Sequence, residues 1–541
     1  MTVFFQRLAH HVDRRPHLVA LILGLISATG FAPLHIWPLS LATFAAWMLL
    51  VLRAPQWRRA ASLGWAFGVG HFLLGLNWIA TAFTYQAAMP AWLGWLAVLL
   101  LALYLAVYPA LAALGGWLIA GPANTKVRLL TLPALLGFAG AWTISEWLRS
   151  WVFTGFAWNP LSAITVPYAA APARFLGTYG TSALVIFAAG ALIWLAARRY
   201  KAAAITAALL ALITGGALIT QGMESADAAI RKKGGATTPL VTLVQPNIGQ
   251  ADKWEGDHAA ANFGKLARLT PPKPTTPFAA ATDNPPRLIL WPEAAIPDYL
   301  ERGYPDYFYD RSPDDARQRL TALMNPHDVM LLGALKLEFD QHGQAVGARN
   351  SVMTLHDDGT LGPRYDKAHL VPYGEYLPMR PLLSLLGLSR LAPGDLDFWA
   401  GPGARTIDIA NFAKIGLQIC YEIIFSGQVT DPDHRPEFIF NPSNDAWFGA
   451  WGPPQHLAQA RLRAIEEGLP VLRSTPTGIS AIIDASGHIL HAVPMHRAGR
   501  IDAHVPPAYA PTLFARMGNI LPLLWASLLI IAAIAIRFRR R

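Results

Sequence analysis

The chain has 541 residues, of which 53% are hydrophobic and only 14% charged, with a mean hydropathy of +0.32. That composition excludes an ordinary soluble protein of this length, and the length suggests more than one domain. The net charge of +10 does not point to nucleic acid. Residues 1–220 hold 13 Lys and Arg against 2 Asp and Glu, the tail Arg537, Arg539, Arg540 and Arg541 adds four more, and 221–536 is left with 27 basic and 32 acidic residues.

In chain order, apolar stretches near 17–34, 36–53, 60–82, 91–118, 128–148, 176–197 and 202–220 predict seven transmembrane helices, and 519–536 predicts an eighth. Each is near the roughly 20 residues that cross a hydrocarbon core. The first two are short and separated by "FAPLHIWP", which fits a tight hairpin or one span with a re-entrant piece. Arginines and lysines fall in alternate connections: Arg7, Arg14 and Arg15, then Arg53, Arg58 and Arg59, then Lys126 and Arg128, then Arg198, Arg199 and Lys201, then the tail. The connections "FAPLHIWP" and "TAFTYQAAMP" carry none, whereas the one after the fifth stretch has Arg149 and Arg174. The positive-inside rule then puts both termini in the cytoplasm and residues 221–518 outside it, in the periplasm of a Gram-negative bacterium. Glu146 is expected to pair with Arg149 one turn on, with a substrate contact as the other reading. "FTGFAWNP" reads as an interfacial aromatic belt.

From Pro239 the pattern changes to short β-rich runs: "LVTLVQP", "RLILWPE", "DVMLLGALK", "NSVMTLH", "KIGLQICYE", "EFIFNPSND", "LPVLRST" and "SAIIDASG". Amphipathic segments such as 456–468 lie between some of them, which predicts a layered α/β domain. The Pro/Thr/Ala-rich stretch 270–286 reads as a surface insertion. The predicted organisation is thus a polytopic membrane domain over 1–220, an extramembrane α/β domain over 221–518, and a closing helix with a basic tail over 519–541. There is no P-loop, no CxxC and no convincing metal cluster, so no metal or cofactor is expected. His356, His369 and His456 read as surface or structural residues.

The only cysteine is Cys420, at the end of "IGLQIC". A lone cysteine is commonly a small buried hydrophobe, but an unpaired thiol in an oxidising compartment is a liability unless it is used. Glu293 ends "LILWPE", and Lys367 lies in "RYDKAHLVPYGEYLP". Residues just past strand ends are where α/β folds place chemistry. Together the three offer a thiol nucleophile, a carboxylate base, and a cation able to lower the thiol pKa or hold an oxyanion.

"WPE", "YDKAHLVPYGEYLP" and "ICYE", in that order, resemble the nitrilase superfamily, which implies an αββα sandwich and a Glu–Lys–Cys triad. With the seven-span block, "VQPNIGQADKW" and "NPSNDAWFG", nearly the whole chain is similar to that superfamily's membrane-embedded branch, the apolipoprotein N-acyltransferase family. The resemblance implies Glu293 as general base, Lys367 as oxyanion partner and Cys420 as nucleophile. It makes Glu375 a supporting glutamate, Tyr421 and Glu422 flanking residues, and Trp254 an aromatic near the substrate entrance. It implies an acyl chain taken from the sn-1 position of a phospholipid, typically phosphatidylethanolamine. The chain would pass through a cysteine thioester to the α-amino group of a diacylglyceryl apolipoprotein. A membrane-tethered amidohydrolase would share the triad but needs one helix rather than eight. A transporter or scaffold with a degenerate module would have lost one of the three residues.

Overall fold

The computed structural model describes residues 14–85, 90–121, 130–233, 238–253, 258–271, 286–385, 396–410 and 412–539. Trp254, Arg7, Lys126, Arg128, Arg540, Arg541 and most of the 270–286 insertion lie outside them.

The apolar stretches form helices at Pro16–Ser27, Trp37–Leu52, Trp57–Gly75, Trp92–Leu105, Val107–Ala120, Leu132–Arg149, Ala173–Ala196, Tyr200–Lys233 and Ile520–Phe538. Small residues set how closely they pack. A Cβ on Gly24 would lie 1.9 Å from the Phe67 carbonyl oxygen, and one on Gly70 would lie 2.1 Å from that of Leu21. The first and third helices therefore touch backbone to backbone, as small-residue faces allow in apolar surroundings. Among the described residues, four helical segments are long and apolar enough to cross a membrane, or five if the bent pair Trp57–Gly75 and Ile79–Tyr85 counts as one span. Pro16–Gly30 and Trp37–Leu52 are shorter apolar helices, below the usual spanning length, so length and composition do not by themselves deliver eight spans.

Two further expectations need correction here. Arg174 is not in a connecting loop. It lies buried within the Ala173–Ala196 helix and pairs with Glu224 of the Tyr200–Lys233 helix. "FTGFAWNP" is not uniformly an interfacial belt: Phe153 is exposed, whereas Trp158 is fully buried against Trp78, Phe448 and His456.

The α/β part contains two six-stranded sheets. In the first the order is β12-β1-β2-β3-β4-β5, with β1 Leu240–Gln245, β2 Arg287–Leu290, β3 Val329–Phe339, β4 Ala345–His356, β5 Tyr365–Asp366 and β12 Gly499–His504. In the second it is β11-β10-β9-β8-β7-β6, with β6 Thr406–Ile409, β7 Ala413–Leu417, β8 Phe438–Pro442, β9 Val471–Ser474, β10 Ser480–Ile483 and β11 Ile489–Val493. Central strands β1, β2 and β3 run parallel to one another, as do β7, β8 and β9. They are apolar on both faces because both faces are covered. Leu243, Leu290 and Leu331 of one sheet meet Leu417, Phe440 and Leu472 of the other in a shared core. On the outer face of the first sheet, Ile289, Met330 and Leu332 pack with Leu266 and Leu320 of helices Ala259–Leu269 and Pro313–Thr321.

The outer layer of the second sheet is the helix Gly452–Glu467, which joins the two halves of the molecule. Leu457, Ala460 and Ala464 belong to the sheet core, while Ala458, Leu462 and Ile465 belong to the core of the membrane helices. A helix apolar on opposite faces must be covered twice. The seam is also hydrogen-bonded. Helix Ala173–Ala196 is broken at Gly177, with φ +70°, which frees the Thr178 N–H to donate to Glu466 Oε1 at 2.5 Å. Ser426 Oγ donates to the same oxygen at 2.7 Å, and Trp158 Nε1 donates to Gln455 Oε1 at 2.8 Å.

Candidate active site

Three strand ends deliver three side chains. Past β2 the chain stays tied to β3: Trp291 N–H donates to Leu331 O at 3.0 Å, Gly333 N–H to Pro292 O at 3.2 Å, and Ala295 N–H to Gly333 O at 2.8 Å. This tie carries Glu293 onto a turn whose next residue, Ala294, has φ +46°. Lys367 follows β5, with its N–H donating to Asn350 O at 2.9 Å. Cys420 follows β7 and opens a short 3-10 turn, Cys420–Ile424, with φ +51°. A non-glycine residue in that left-handed region is strained and persists where its surroundings hold it. Its carbonyl accepts from His456 Nε2 at 3.0 Å and from Asn441 Nδ2 at 3.5 Å. His456 Nδ1 accepts from Arg473 Nη2 at 2.9 Å, and the same guanidinium pairs with Asp445 at 2.6 Å.

All three residues are buried: Glu293 at 6%, Lys367 at 1% and Cys420 at 4% relative exposure, so their charges interact with little solvent screening. Lys367 Nζ lies 2.9 Å from Glu375 Oε1 and 3.5 Å from Glu293 Oε1. Asn350 Nδ2 donates to both carboxylates, at 2.7 Å to Glu293 and 3.1 Å to Glu375. The second Glu375 oxygen accepts from Val371 N–H at 2.8 Å. Among the described residues Glu293 Oε2 has no hydrogen-bond partner, which leaves that buried carboxylate oxygen available for proton transfer. Burial opposes the charged form of Lys367, but the Glu375 and Glu293 carboxylates outweigh it and hold the ammonium pKa up. Burial, and then the Glu293 charge, push the Cys420 thiol well above its ordinary range, while Lys367 and the Asn444 backbone N–H act in the opposite direction. A thiol held neutral beside a carboxylate calls for base-assisted attack rather than a resting thiolate.

Glu422 does not face the sulfur. Its Oε1 accepts from Tyr365 Oη at 2.9 Å, Ala368 N–H at 2.7 Å and His369 N–H at 3.0 Å, and its Oε2 accepts from Ile419 N–H at 2.6 Å. It therefore ties the segment after Lys367 to the turn of Cys420. Tyr421 Oη donates to Gly155 O, at 3.3 Å, in the loop that follows the Leu132–Arg149 helix. That loop is held from the membrane side. Arg149 Nη1 donates to the carbonyls of Phe156 and Trp158 at 3.0 and 2.7 Å, and Glu146 Oε1 accepts from Leu161 N–H at 2.7 Å. The expected Glu146–Arg149 pair exists at 3.9 Å, but both side chains are buried within the bundle and anchor the loop more closely than they approach each other. His369 stacks on Phe425 with ring centroids 3.8 Å apart.

The structure thus brings Glu293, Lys367, Glu375 and Cys420 together, with Tyr421 and Glu422 bracing the Cys420 turn. Asn350, Asp445, Arg473 and Lys253 were not singled out from the sequence. Asp445 stood inside "NPSND" and Lys253 immediately before Trp254, but single polar residues inside such runs carry no signal until the fold places their partners.

A site of this construction on two facing sheets is that of a carbon–nitrogen hydrolase fold, and residues 240–511 match the carbon-nitrogen hydrolase family model. Residues 23–191 match a second model, the apolipoprotein N-acyltransferase N-terminal domain. The chain is 33% identical to an apolipoprotein N-acyltransferase of Rhodopseudomonas palustris over 93% of its own length and 92% of the relative's. To one of Brucella melitensis it is 34% identical, over 92% and 85%. To one of Bradyrhizobium diazoefficiens it is 33% identical, over 97% and 95%. The chain belongs to the apolipoprotein N-acyltransferase family.

Proposed function

We propose that this membrane protein moves a fatty acyl chain from a phospholipid to the α-amino group of a diacylglyceryl-cysteine at the N-terminus of an apolipoprotein. The observation that carries the reading is the convergence of Glu293, Lys367 and the sole thiol, Cys420, directly beside a loop anchored in the membrane helices.

In the first half-reaction Glu293 takes the thiol proton as Sγ bonds to the carbonyl carbon of the sn-1 ester. Lys367 Nζ holds the oxyanion that forms. The ester C–O bond then breaks, and the Glu293 proton passes to the departing lyso-lipid oxygen. In the second half-reaction the acceptor amine attacks the thioester, Glu293 takes an amine proton, the C–S bond breaks, and that proton returns to sulfur. The membrane part has an energetic role. Drawing an acyl chain into water costs about 0.8 kcal/mol per CH₂, and a site at the bilayer surface avoids that cost.

The same reading assigns Glu375 to fixing Lys367, Trp254 to the substrate entrance, and phosphatidylethanolamine as the typical donor. It divides the chain into a seven-span domain over 1–220, a catalytic domain over 221–518 and a final span with its tail over 519–541, eight spans in all. Both termini are cytoplasmic and the catalytic domain is periplasmic in the inner membrane. The Lys/Arg asymmetry supports this orientation. A reporter inserted at the exposed Gly303 turn tests it: activity typical of the periplasm is expected, and a cytoplasmic signal overturns the topology.

A further inference from the structure

We infer that His456 is a positioning residue of the reaction: its ring N–H holds the Cys420 carbonyl and so fixes the strained turn that presents the sulfur to Glu293 and Lys367. The inference rests on Cys420 being the nucleophile.

Cys420 has φ +51°, a conformation that a non-glycine residue keeps only under constraint. The constraint acts on both sides of its Cα. Before it, the Ile419 N–H donates to Glu422 Oε2 at 2.6 Å. After it, the Cys420 carbonyl faces His456 Nε2 at 3.0 Å. Asn441 Nδ2 reaches the same carbonyl only at 3.5 Å and donates to Gln418 O at 2.6 Å instead, so it is no substitute for the histidine.

The partners of the ring decide where its proton sits. A carbonyl oxygen only accepts, which puts the proton on Nε2. The other edge of the ring agrees. Arg473 Nη2 lies 2.9 Å from Nδ1, and a guanidinium only donates, so Nδ1 accepts. Asp445 Oδ1 is 3.0 Å from Nδ1, and both Asp445 oxygens accept from the same Arg473 nitrogen at 2.6 Å. Burial, and then the Arg473 charge, hold the imidazole below its ordinary range, in keeping with a neutral ring.

The ring has no room to swing. His456 is fully buried, with the Trp158 ring centroid at 5.1 Å and that of Phe448 at 5.9 Å. Trp158 belongs to the loop whose carbonyls Arg149 holds from the membrane helices, its own at 2.7 Å. Arg473 belongs to strand β9. His456 therefore sets the Cys420 turn against a frame shared by the second sheet and the membrane bundle.

The test uses three variants. His456→Gln places an amide nitrogen near the reach of Nε2. His456→Asn places one only near Nδ1, on the Arg473 side. His456→Met fills a similar volume with no donor. Acyl-thioester formation from phosphatidylethanolamine vesicles is read by intact mass across lipid concentrations, alongside thermal melting, at a temperature where the variants are folded. A displacement of about 1 Å in a reacting group costs on the order of 10²-fold in rate. The maximal acylation rate is therefore expected to fall by about that factor in His456→Asn and His456→Met, with the half-saturating lipid concentration unchanged. His456→Gln is expected to stay within about 5-fold of wild type, since it keeps the hydrogen bond. A merely structural residue would not give rescue by the one variant whose donor reaches Cys420. Wild-type rates in His456→Asn or His456→Met overturn the inference, as does equal slowing in all three, a change confined to the half-saturating concentration, or failure of both donor-deficient variants to fold. Failure of the wild type to form a thioester would instead overturn the nucleophile assignment.

Discussion

Gly333→Ala tests how tightly Glu293, the proposed base, is positioned. A Cβ on Gly333 would sit 2.3 Å from Ala294 N, 2.6 Å from Pro292 O and 2.7 Å from Glu293 Cα. All three are backbone atoms, so no flexible side chain can turn aside. Bringing the closest contact from 2.3 Å to an ordinary 3.4 Å requires a shift of about 1.1 Å in the turn that carries Glu293. A misplacement of about 1 Å in a catalytic group costs on the order of 10²-fold in rate, and overpacking at a tight site costs about 1–3 kcal/mol of stability. The assay is acyl-enzyme formation from phospholipid, followed by intact mass, alongside thermal melting. Gly264→Ala adds the same methyl in helix Ala259–Leu269, where the nearest atom is the end of the Arg268 side chain at 3.5 Å. That control is expected to be neutral or slightly stabilising. Gly333→Ala acylating at the wild-type rate would refute the argument that the β3 contact sets the Glu293 position.

Further outcomes are expected at the triad. Cys420→Ser abolishes acyl-enzyme formation, since a hydroxyl is far less acidic than a thiol; the melting curve should be unchanged and acylation at near wild-type rate would remove Cys420 from its role. Acylation by Glu293→Gln rises with pH, because the Cys420 thiol is held above its ordinary range and forms thiolate without a base only in alkali. Lys367→Met loses about 10²–10³ in rate and is not rescued by pH, because its charge is required in the transition state. Full alkaline rescue of Lys367→Met would reduce that residue to tuning the thiol.

Much of this architecture was legible because hydrophobic runs report burial. The strands covered on both faces, β1–β3 and β7–β9, stood out as continuous apolar segments. Strands β11 and β12 did not, since "ILHAV" is mostly exposed and "GRIDAH" has polar residues facing solvent. Two-residue β5 is too short to carry a period. Glu293, Lys367 and Cys420 were readable as reactive residues ending strand-like runs. Their supports were not: Asn350, Lys253 and Arg473 act through contacts that close only when separate strands and loops meet. His456, read as structural, holds the Cys420 carbonyl from 36 residues away. The span count was limited by a different effect. Apolar length reads well, but breaks such as the bend after Gly75 and the kink at Gly177 depend on neighbours rather than on local sequence.

The central claim, that Cys420 carries the acyl chain between two lipid substrates, is tested most directly by intact mass of the wild-type protein mixed with phosphatidylethanolamine vesicles. The account predicts a gain of one fatty acyl chain, mapped to Cys420 and discharged when a diacylglyceryl-cysteine peptide with a free α-amino group is added. A protein that acylates the peptide yet never gains that mass, or gains it at another residue, would contradict the account.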